Sequence, residues 1–269
     1  MRLAILSDIH GNPIALDAVL RDAEERGGID GYWVLGDLVA QGFDPMTVLE
    51  RLTALPNARF VRGNTDRYTT TGDKAAVLSM LGRGLPTPEE VEAPIPPELF
   101  PAFVTVAQGI AWTRGCLAGG AWLDWLGELP LEQRLTLPDG ARMLGVHASP
   151  GRDDGPGWEP DHTDEEVMER FAGCDAEIVF IGHTHWSQER RIAGVHVVNV
   201  GSVSNPRTKL SPDLRASYAL LEADAVGYQV MLQRVPYDTQ AVIRTIQERH
   251  VFPNPEWLIA KFVGQGAAV

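Results

Sequence analysis

The sequence has little cysteine, a shortage of basic residues and no long apolar run. Its 269 residues include only Cys116 and Cys174, so a disulfide framework of the kind that holds small secreted domains together is not expected. Lys and Arg number 23 against 36 Asp and Glu, which gives a formal net charge of −13. A chain this acidic is a poor candidate for binding long nucleic acid, which requires a basic surface, and its charge argues against an anionic membrane surface as partner.

No apolar run reaches the roughly 20 residues that a membrane-spanning helix requires. The apolar start of the chain is interrupted at Asp8, which makes it too short for a signal peptide. Apolar residues still make up 44% of the sequence, enough for a packed core. We therefore expect a soluble, cytoplasmic protein. A polyanionic substrate is compatible with the negative charge if bound cations reverse the local field.

The first third of the chain alternates short apolar runs with amphipathic segments. A helix is predicted from Pro13, with Asn12 as its N-cap, to the Gly27–Gly28 pair. Another is predicted at 45–55, with strands at 3–6, 32–35 and 59–61. This alternation is typical of an α/β layer. Later strands are predicted at 134–137, 143–146, 178–181, 188–192, 195–198, 217–221 and 228–235, and later helices at 164–172 and 237–249.

Residues 69–133 break this alternation. Six prolines between positions 86 and 101 indicate a stiff, irregular link, and residues 102–129 look helical and rich in Trp. We predict a single domain over residues 1–269 that contains an inserted helical, cap-like segment at 69–133. Its tryptophans, or Trp158, could stack on a base of the substrate. The favoured interpretation is that Trp112, Trp122 and Trp125 fill a small core of the segment's own.

Five polar clusters each follow a predicted strand. They are Ser7–Asn12, Gly36–Asp37, Gly63–Asp66, His147–Ser149 and Gly182–His185. Any one of them alone is typical of an ordinary turn. Together they contain four of the seven histidines. Because ligands of open α/β sheets bind beyond the carboxyl ends of the strands, we expect these side chains to converge on one site.

The clusters supply seven candidate metal ligands: Asp8, His10, Asp37, Asn64, His147, His183 and His185. One ion rarely needs so many ligands, whereas two ions about 3.5–4 Å apart that share a carboxylate would use them all. Nitrogen and oxygen ligands without a thiolate suit Mn, Fe, Zn, Ni or Co better than Ca. The sequence therefore predicts two divalent transition-metal ions as cofactors.

The five clusters, in this order, resemble the motifs of the calcineurin-like metallophosphoesterases, which are D-x-H, G-D, G-N-H-D/E, a single His and G-H-x-H. The match spans residues 8 to 185, and the stretches 199–203, 205–207 and 216–218 are similar to the small bacterial and archaeal branch of that family. The resemblance implies an α/β fold, a four-layer α/β/β/α sandwich of two mixed sheets, in which the helical segment is inserted.

The resemblance also implies how the ligands are shared between two metal positions. Asp37 would bridge both ions. The first ion would be held by Asp8, His10 and His185, and the second by Asn64, His147 and His183.

The implied activity is hydrolysis of a phosphate ester by a metal-activated hydroxide, with Asp37, Asn64 and His147 as catalytic residues. The expected substrate is a small phosphorylated molecule, such as a nucleotide. A protein phosphatase, a nuclease and a non-catalytic metal-binding scaffold are the alternatives. The charge weighs against the nuclease, and the full set of seven ligands weighs against the scaffold. Neither the oligomeric state nor a preference for monoesters or diesters is predicted.

One position departs from the family pattern. Thr65 stands where the motif has a His that often acts as general acid near the leaving group. Threonine cannot protonate an alkoxide at neutral pH, so either the leaving group departs without help, as a phenolate or nucleotide phosphate does, or another group supplies the proton. Asp66 is expected to orient a ligand or to cap a turn. Asn12, Arg67 and Arg152 are candidate contacts for the substrate phosphate.

Overall fold

The computed structural model describes residues 1–83, 86–207, 213–249 and 253–263. Within them the strands are β1 (Arg2–Leu6), β2 (Gly31–Val34), β3 (Arg59–Phe60), β4 (Glu132–Thr136), β5 (Arg142–Val146), β6 (Ile178–Ile181), β7 (Ser187–Ile192), β8 (Val195–Val200), β9 (Ala216–Ala223) and β10 (Tyr228–Val235). The helices are α1 (Pro13–Glu25), α2 (Pro45–Thr53), α3 (Asn64–Thr71), α4 (Lys74–Leu78), α5 (Pro88–Glu92), α6 (Phe100–Leu117), α7 (Trp122–Glu128), α8 (Asp164–Phe171), α9 (Thr239–Arg249) and α10 (Pro255–Val263), with a π-helical turn at Ser79–Arg83.

The strands form two mixed five-stranded sheets. The order in the first sheet is β10-β9-β1-β2-β3, with β1, β2 and β3 parallel and β9 antiparallel to both of its neighbours. The order in the second sheet is β4-β5-β6-β8-β7, with β5, β6 and β8 parallel and both edge strands antiparallel. These two sheets and their helices confirm the predicted α/β fold class.

The apolar clusters show how the layers stack. One cluster lies between α1, α2 and the first sheet, and it includes Leu16, Val48 and Leu6. A second cluster joins the inner faces of the two sheets. A third lies between the second sheet and α8, where Phe171 is fully buried. The resulting order is helix, sheet, sheet, helix, which is the predicted four-layer arrangement.

Local signals in the sequence account for where two helices begin. Asn12 accepts a hydrogen bond from the backbone N–H of Ala15 at 3.1 Å, and Pro13 is the first helical residue of α1. The backbone N–H of Thr163 donates to the Glu166 carboxylate at 2.7 Å, which completes the predicted capping box of α8. The tail, to which the sequence assigned no element, contains α10, and the predicted 237–249 helix begins at Thr239.

The tryptophans after α5 do not form a small core of their own, so that part of the prediction is wrong. Trp122 and Trp125 pack edge to face, 5.9 Å between ring centres, against the apolar cluster of α1, α2 and the first sheet. Trp112 packs against the cluster around α9 and α10. Trp122 and Trp125 thus join the helical segment to the sheet layer, and Trp112 joins it to α9 and α10. Trp158 is fully buried beside α8 and is not available to stack on a base.

No helix in the described part of the chain is both long and apolar enough to cross a membrane.

The loops that follow β2 and β3 approach each other at two glycines. Gly36 has φ +88°, a conformation that L-residues rarely adopt, and a Cβ built on it would lie 2.4 Å from the backbone nitrogen of Gly63. The carbonyl of Gly36 also accepts a hydrogen bond from the backbone N–H of Asp8 at 3.0 Å. Gly36 therefore lets three loops meet at the carboxyl ends of β1, β2 and β3.

We expect Gly36→Ala to lower the free energy of unfolding by about 2–5 kcal/mol. The left-handed backbone costs a non-glycine residue about 1–2 kcal/mol, and the overpacking against Gly63 adds about 1–3 kcal/mol. Gly140→Ala is a matched control, because Gly140 has φ +91° and an added Cβ would meet no described atom within 4 Å. Urea unfolding of both variants measures the difference. Equal losses would show that the close approach of the loops costs nothing.

Candidate metal centre

The loops after β1 and β2 are held together by backbone hydrogen bonds. The N–H groups of Asp8 and His10 donate to the carbonyl oxygens of Gly36 and Asp37, at 3.0 and 2.9 Å. The two loops leave neighbouring parallel strands at the same edge of the sheet. Asp8 and Asp37 therefore lie side by side, at the position where open α/β sheets bind their ligands.

Five of the seven candidate ligands have a left-handed backbone. Nine described residues other than glycine have a positive φ. The five ligands among them have φ between 47° and 66°: Asp8, His10, Asp37, His183 and His185. Each such conformation costs about 1–3 kcal/mol and persists only where the surrounding structure imposes it, which is common at functional sites.

Both carboxylates are buried and each accepts a backbone hydrogen bond from another loop. Oδ2 of Asp8 accepts from the N–H of His183 at 3.0 Å, and Oδ1 of Asp37 accepts from the N–H of Thr65 at 2.9 Å. Oδ1 of Asp8 is buried and has no hydrogen-bond partner among the described residues. A buried carboxylate oxygen in this state needs a cation or a donor.

Asp66 holds the backbone around Asp37. Its carboxylate accepts hydrogen bonds from the N–H groups of Asp37 at 2.9 Å, Leu38 at 2.8 Å and Gly63 at 3.0 Å. Burial, together with the charge of Asp37, raises the pKa of Asp66 to about 7. Asp66 thus combines the two roles that its sequence position predicted, because it orients a candidate ligand and caps the start of α3.

His10 and His185 face each other beside Asp8. Nδ1 of His10 donates to the carbonyl of Ala40 at 3.0 Å, and Nδ1 of His185 donates to that of Asn205 at 2.8 Å. In the neutral tautomer each Nε2 then presents a lone pair. These Nε2 atoms are 3.3 Å apart, and that of His185 lies 3.1 Å from Oδ1 of Asp8. Three electron-pair donors therefore converge, which a bound cation would satisfy.

His147 and His183 lie beside Asn64 and are anchored in the same way, by hydrogen bonds to backbone carbonyls. Nδ1 of His147 is 2.6 Å from the carbonyl oxygen of Leu35, and Nε2 of His183 is 2.8 Å from that of Gly155. The remaining ring nitrogens both lie 3.0 Å from Oδ1 of Asn64. Fixing one nitrogen of an imidazole on a backbone carbonyl sets the orientation of the other, as is typical of metal-binding histidines.

The buried carboxylates control the charge of this site. Burial raises the pKa values of Asp8 and Asp37, but the adjacent imidazoles outweigh it and hold both below the usual range. Burial lowers the pKa of His147, but the carboxylate of Asp37 outweighs it and raises the pKa to about 10. For His10 burial prevails and lowers the pKa to about 3, and it also lowers that of His183. The site therefore favours positive charge beside ionised carboxylates.

Among the His, Cys, Asp and Glu residues of the described ranges, two sets of donor atoms lie close enough to hold an ion. Within each set the atoms lie within 4.8 Å of one another, and the sets are Asp8 with His10 and His185, and Asp8 with Asp37 and His147. The first set is the one that the resemblance implies for the first ion. Imidazole and carboxylate donors held by hydrogen bonds fit divalent transition-metal ions, and the orphaned oxygen of Asp8 supports the fit.

A cavity of about 450 Å³ opens above these groups. Five of the seven candidate ligands line it, whereas Asp8 and His147 are fully buried beneath. Asp154, Asn205 and Lys261 also line the cavity and were not identified from the sequence as site residues. Asn205 belongs to a stretch that the family resemblance already includes, but no signal marked the other two.

Lys261 brings an amino group to this cavity from α10. Burial lowers the pKa of Lys261 to about 7, while the carboxylates of Asp37 and Asp8 act in the opposite direction.

Thr65 lines the same cavity, at the first turn of α3. Its hydroxyl group is buried and has no hydrogen-bond partner among the described residues. It is the backbone N–H of Thr65, not its side chain, that binds Asp37.

The three predicted substrate contacts lie elsewhere. Asn12 is fully buried as the cap of α1. Arg67 is paired with Asp153 and Asp154, with N···O distances of 3.0 Å in both pairs, and Arg152 is exposed. None of the three is among the described residues that line the cavity. Their contact with substrate stays a prediction.

The comparisons with known proteins agree with this geometry. Residues 1–225 match the family model of the calcineurin-like phosphoesterase superfamily domain. An uncharacterized protein of Methanocaldococcus jannaschii is 27% identical over 276 residues, covering 95% of each chain. The structure of a hypothetical protein from Pyrococcus horikoshii is similar in fold, with 22% identity, 98% of both chains covered and a TM-score of 0.75.

A metallophosphoesterase from Sphaerobacter thermophilus is also similar, with 26% identity, 98% of both chains covered and a TM-score of 0.67. The family model covers well over half of the chain. The resemblance that the five clusters predicted is therefore confirmed, and the chain belongs to the calcineurin-like phosphoesterase superfamily.

Proposed function

We propose that the protein is a metal-dependent phosphoesterase that hydrolyses a small phosphorylated molecule, such as a nucleotide. Membership of the superfamily implies a hydrolase that acts on phosphate esters. The observation that carries the proposal is the orientation of four imidazoles. A backbone carbonyl fixes one nitrogen of each ring, and the other nitrogen points toward two buried carboxylates and the Asn64 amide.

The proposal assigns the ligands to two divalent ions. Asp37 would contact both ions. The first would be held by Asp8, His10 and His185, and the second by Asn64, His147 and His183. When bound, such a pair of ions polarises phosphoryl oxygens and supplies a nucleophile from water near neutral pH. The donor set suits Mn, Fe, Zn, Ni or Co.

The surrounding residues keep this arrangement in place. Asp66 fixes the backbone of Asp37, and the N–H of Thr65 fixes its carboxylate. A cavity of about 450 Å³ has the size of a small-molecule site, which supports a small phosphorylated substrate over a phosphoprotein.

We expect Asp37→Asn to lower kcat/KM on a chromogenic phosphate ester by more than about 100-fold. Even changes outside the ligand shell of a metal typically cost 10–100-fold, and this one removes the carboxylate proposed to contact both ions. The amide retains an oxygen to accept the Thr65 N–H. Asp124→Asn, the same change at an exposed position of α7, is the control. A kcat/KM of the variant within about tenfold of the wild-type value after metal reloading would show that Asp37 does not have the proposed role.

Metal content tests the two-ion assignment without any substrate. After reconstitution with Mn²⁺ and removal of the excess, we expect about two ions for each wild-type chain. His185→Ala should lose at least one of them, because His185 belongs to the first donor set. Elemental analysis gives the stoichiometry. Fewer than about one ion in the wild type would favour a non-catalytic scaffold of the same fold.

Thr65 leads to a prediction about the leaving group. Because threonine cannot protonate an alkoxide at neutral pH, kcat/KM on a series of aryl phosphates should fall steeply as the pKa of the leaving phenol rises. Thr65→His should make this dependence shallower. Thr65→Val is the control, since it removes only the hydroxyl and keeps the N–H that binds Asp37. A shallow dependence in the wild type would mean that another group supplies the proton.

A further inference from the structure

We propose that Lys261 is a substrate-binding residue whose ammonium group pairs with the phosphoryl oxygens of the ester, so that α10 completes the site. This inference rests on the proposed function and deepens it, because it names the cation that the protein itself contributes to phosphate binding.

Lys261 lies on α10 and lines the cavity together with His10 and Asp37. Its Nζ atom is buried and has no hydrogen-bond partner in the described part of the chain. Nζ lies 5.6 Å from the centre of the Trp257 ring, one turn earlier on the same helix, which is within range of a cation–π contact. The side chain is therefore held at the cavity with its donors unused.

A buried ammonium group is unfavourable unless an anion and hydrogen-bond acceptors compensate it. Asp37 and Asp8 attract Lys261 through space, but neither accepts a hydrogen bond from it in the structure. If both carboxylates serve as metal ligands, the bound cations neutralise their negative charge, and the carboxylates no longer compensate Lys261. A phosphate group entering the cavity would bring both the negative charge and the acceptor oxygens that Nζ needs.

Other cations near the cavity already have acidic partners. Arg207 lines the cavity, but its Nη1 lies 3.3 Å from Oε1 of Glu159, and the side chain is largely exposed. Arg67 is bound to Asp153 and Asp154. Among the lysines and arginines that line the cavity in the described ranges, Lys261 alone has no ion-pair partner.

The anchoring of α10 makes this placement specific. Leu258, Ile259 and Phe262 are buried in an apolar cluster with Val242 of α9 and Phe43 of the loop after β2. That loop also carries Asp37. Arg249 at the end of α9 donates to the carbonyl of Phe43 at 3.1 Å. The helix that carries Lys261 is thus packed directly on the loop that carries a proposed metal ligand.

The choice of residue also fits the role. The chain has three lysines, Lys74, Lys209 and Lys261, whereas its remaining 20 basic residues (23 Lys and Arg less three Lys) are arginines. An ammonium group is a compact charge with three donors that can follow the changing positions of phosphoryl oxygens.

The test is to compare phosphate binding by wild type and Lys261→Met, both loaded with Mn²⁺. Methionine keeps an unbranched side chain of similar length and removes the charge. We expect the dissociation constant of inorganic phosphate, measured by calorimetry, and its inhibition constant to rise about 10- to 100-fold, as for loss of one hydrogen bond to a charged group. KM should rise with them, while metal content stays at the wild-type value. Lys261→Arg should recover part of the affinity.

Lys74→Met is the matched control, because it removes the same charge from α4, where Lys74 donates to the backbone carbonyl of Val91. Its phosphate affinity should equal that of the wild type. Thermal unfolding establishes that each variant is folded, and Lys261→Gln replaces Lys261→Met if the latter is not.

The outcomes separate this inference from the proposed function. Wild-type phosphate affinity in Lys261→Met, with unchanged metal content, overturns the inference and reduces Lys261 to a counter-charge for Asp8 and Asp37. A wild-type protein that binds no phosphate overturns it as well. A wild-type protein that binds phosphate but hydrolyses no ester overturns the proposed function, while the comparison of variants still decides the role of Lys261.

Discussion

Two ionised carboxylates, Asp8 and Asp37, are buried side by side at the ends of neighbouring strands. Removing such charges from water costs several kcal/mol each, so the protein must compensate them where they lie. It does so with backbone N–H groups from two other loops, those of His183 and Thr65, and with imidazoles on the open side. The left-handed backbone at both aspartates and the glycine at position 36 follow from this requirement, because the loops must come close enough to deliver those N–H groups.

Much of this arrangement could be predicted from the sequence because it is local. A short apolar run followed at once by Asp or His places the side chain at a strand end, and five such placements define one edge of two sheets. The contribution of α10 could not be predicted in this way. Lys261 reaches the site only because an apolar cluster docks α9 and α10 onto the loop after β2, and the contacts join residues more than 200 positions apart.

Arg67 is a second case in which local sequence does not predict the contacts of a side chain. Arg67 follows directly on the motif at Asn64, and its proximity in sequence favoured a contact with substrate. Asp153 and Asp154, from a loop about 86 residues later, pair with it instead. Trp122 and Trp125 of the helical segment likewise pack on the sheet layer, and Trp112 packs on the cluster around α9 and α10, because these large apolar surfaces belong to other elements. Which charges and rings meet across the fold depends on tertiary packing that local patterns do not contain.

The change at position 65 has a simple structural basis. The group that binds Asp37 there is the backbone N–H at the first turn of α3, and every residue except proline has one. The side chain at this position can therefore change without disturbing the carboxylate. The support that this N–H gives to Asp37 is therefore independent of the side chain at position 65, whereas any proton donation from this position would depend on that side chain.

β1 lies in the centre of its sheet, and its two neighbours are synthesised at very different times. One neighbour, β2, follows within about 25 residues, whereas the other, β9, begins at Ala216. Until β9 has been synthesised, β1 presents an apolar strand edge to the cell, a feature that invites pairing with other chains. Helices α1 and α2 cover the outer face of this sheet, whereas this edge of β1 is paired only once a strand more than 200 positions later adds to it.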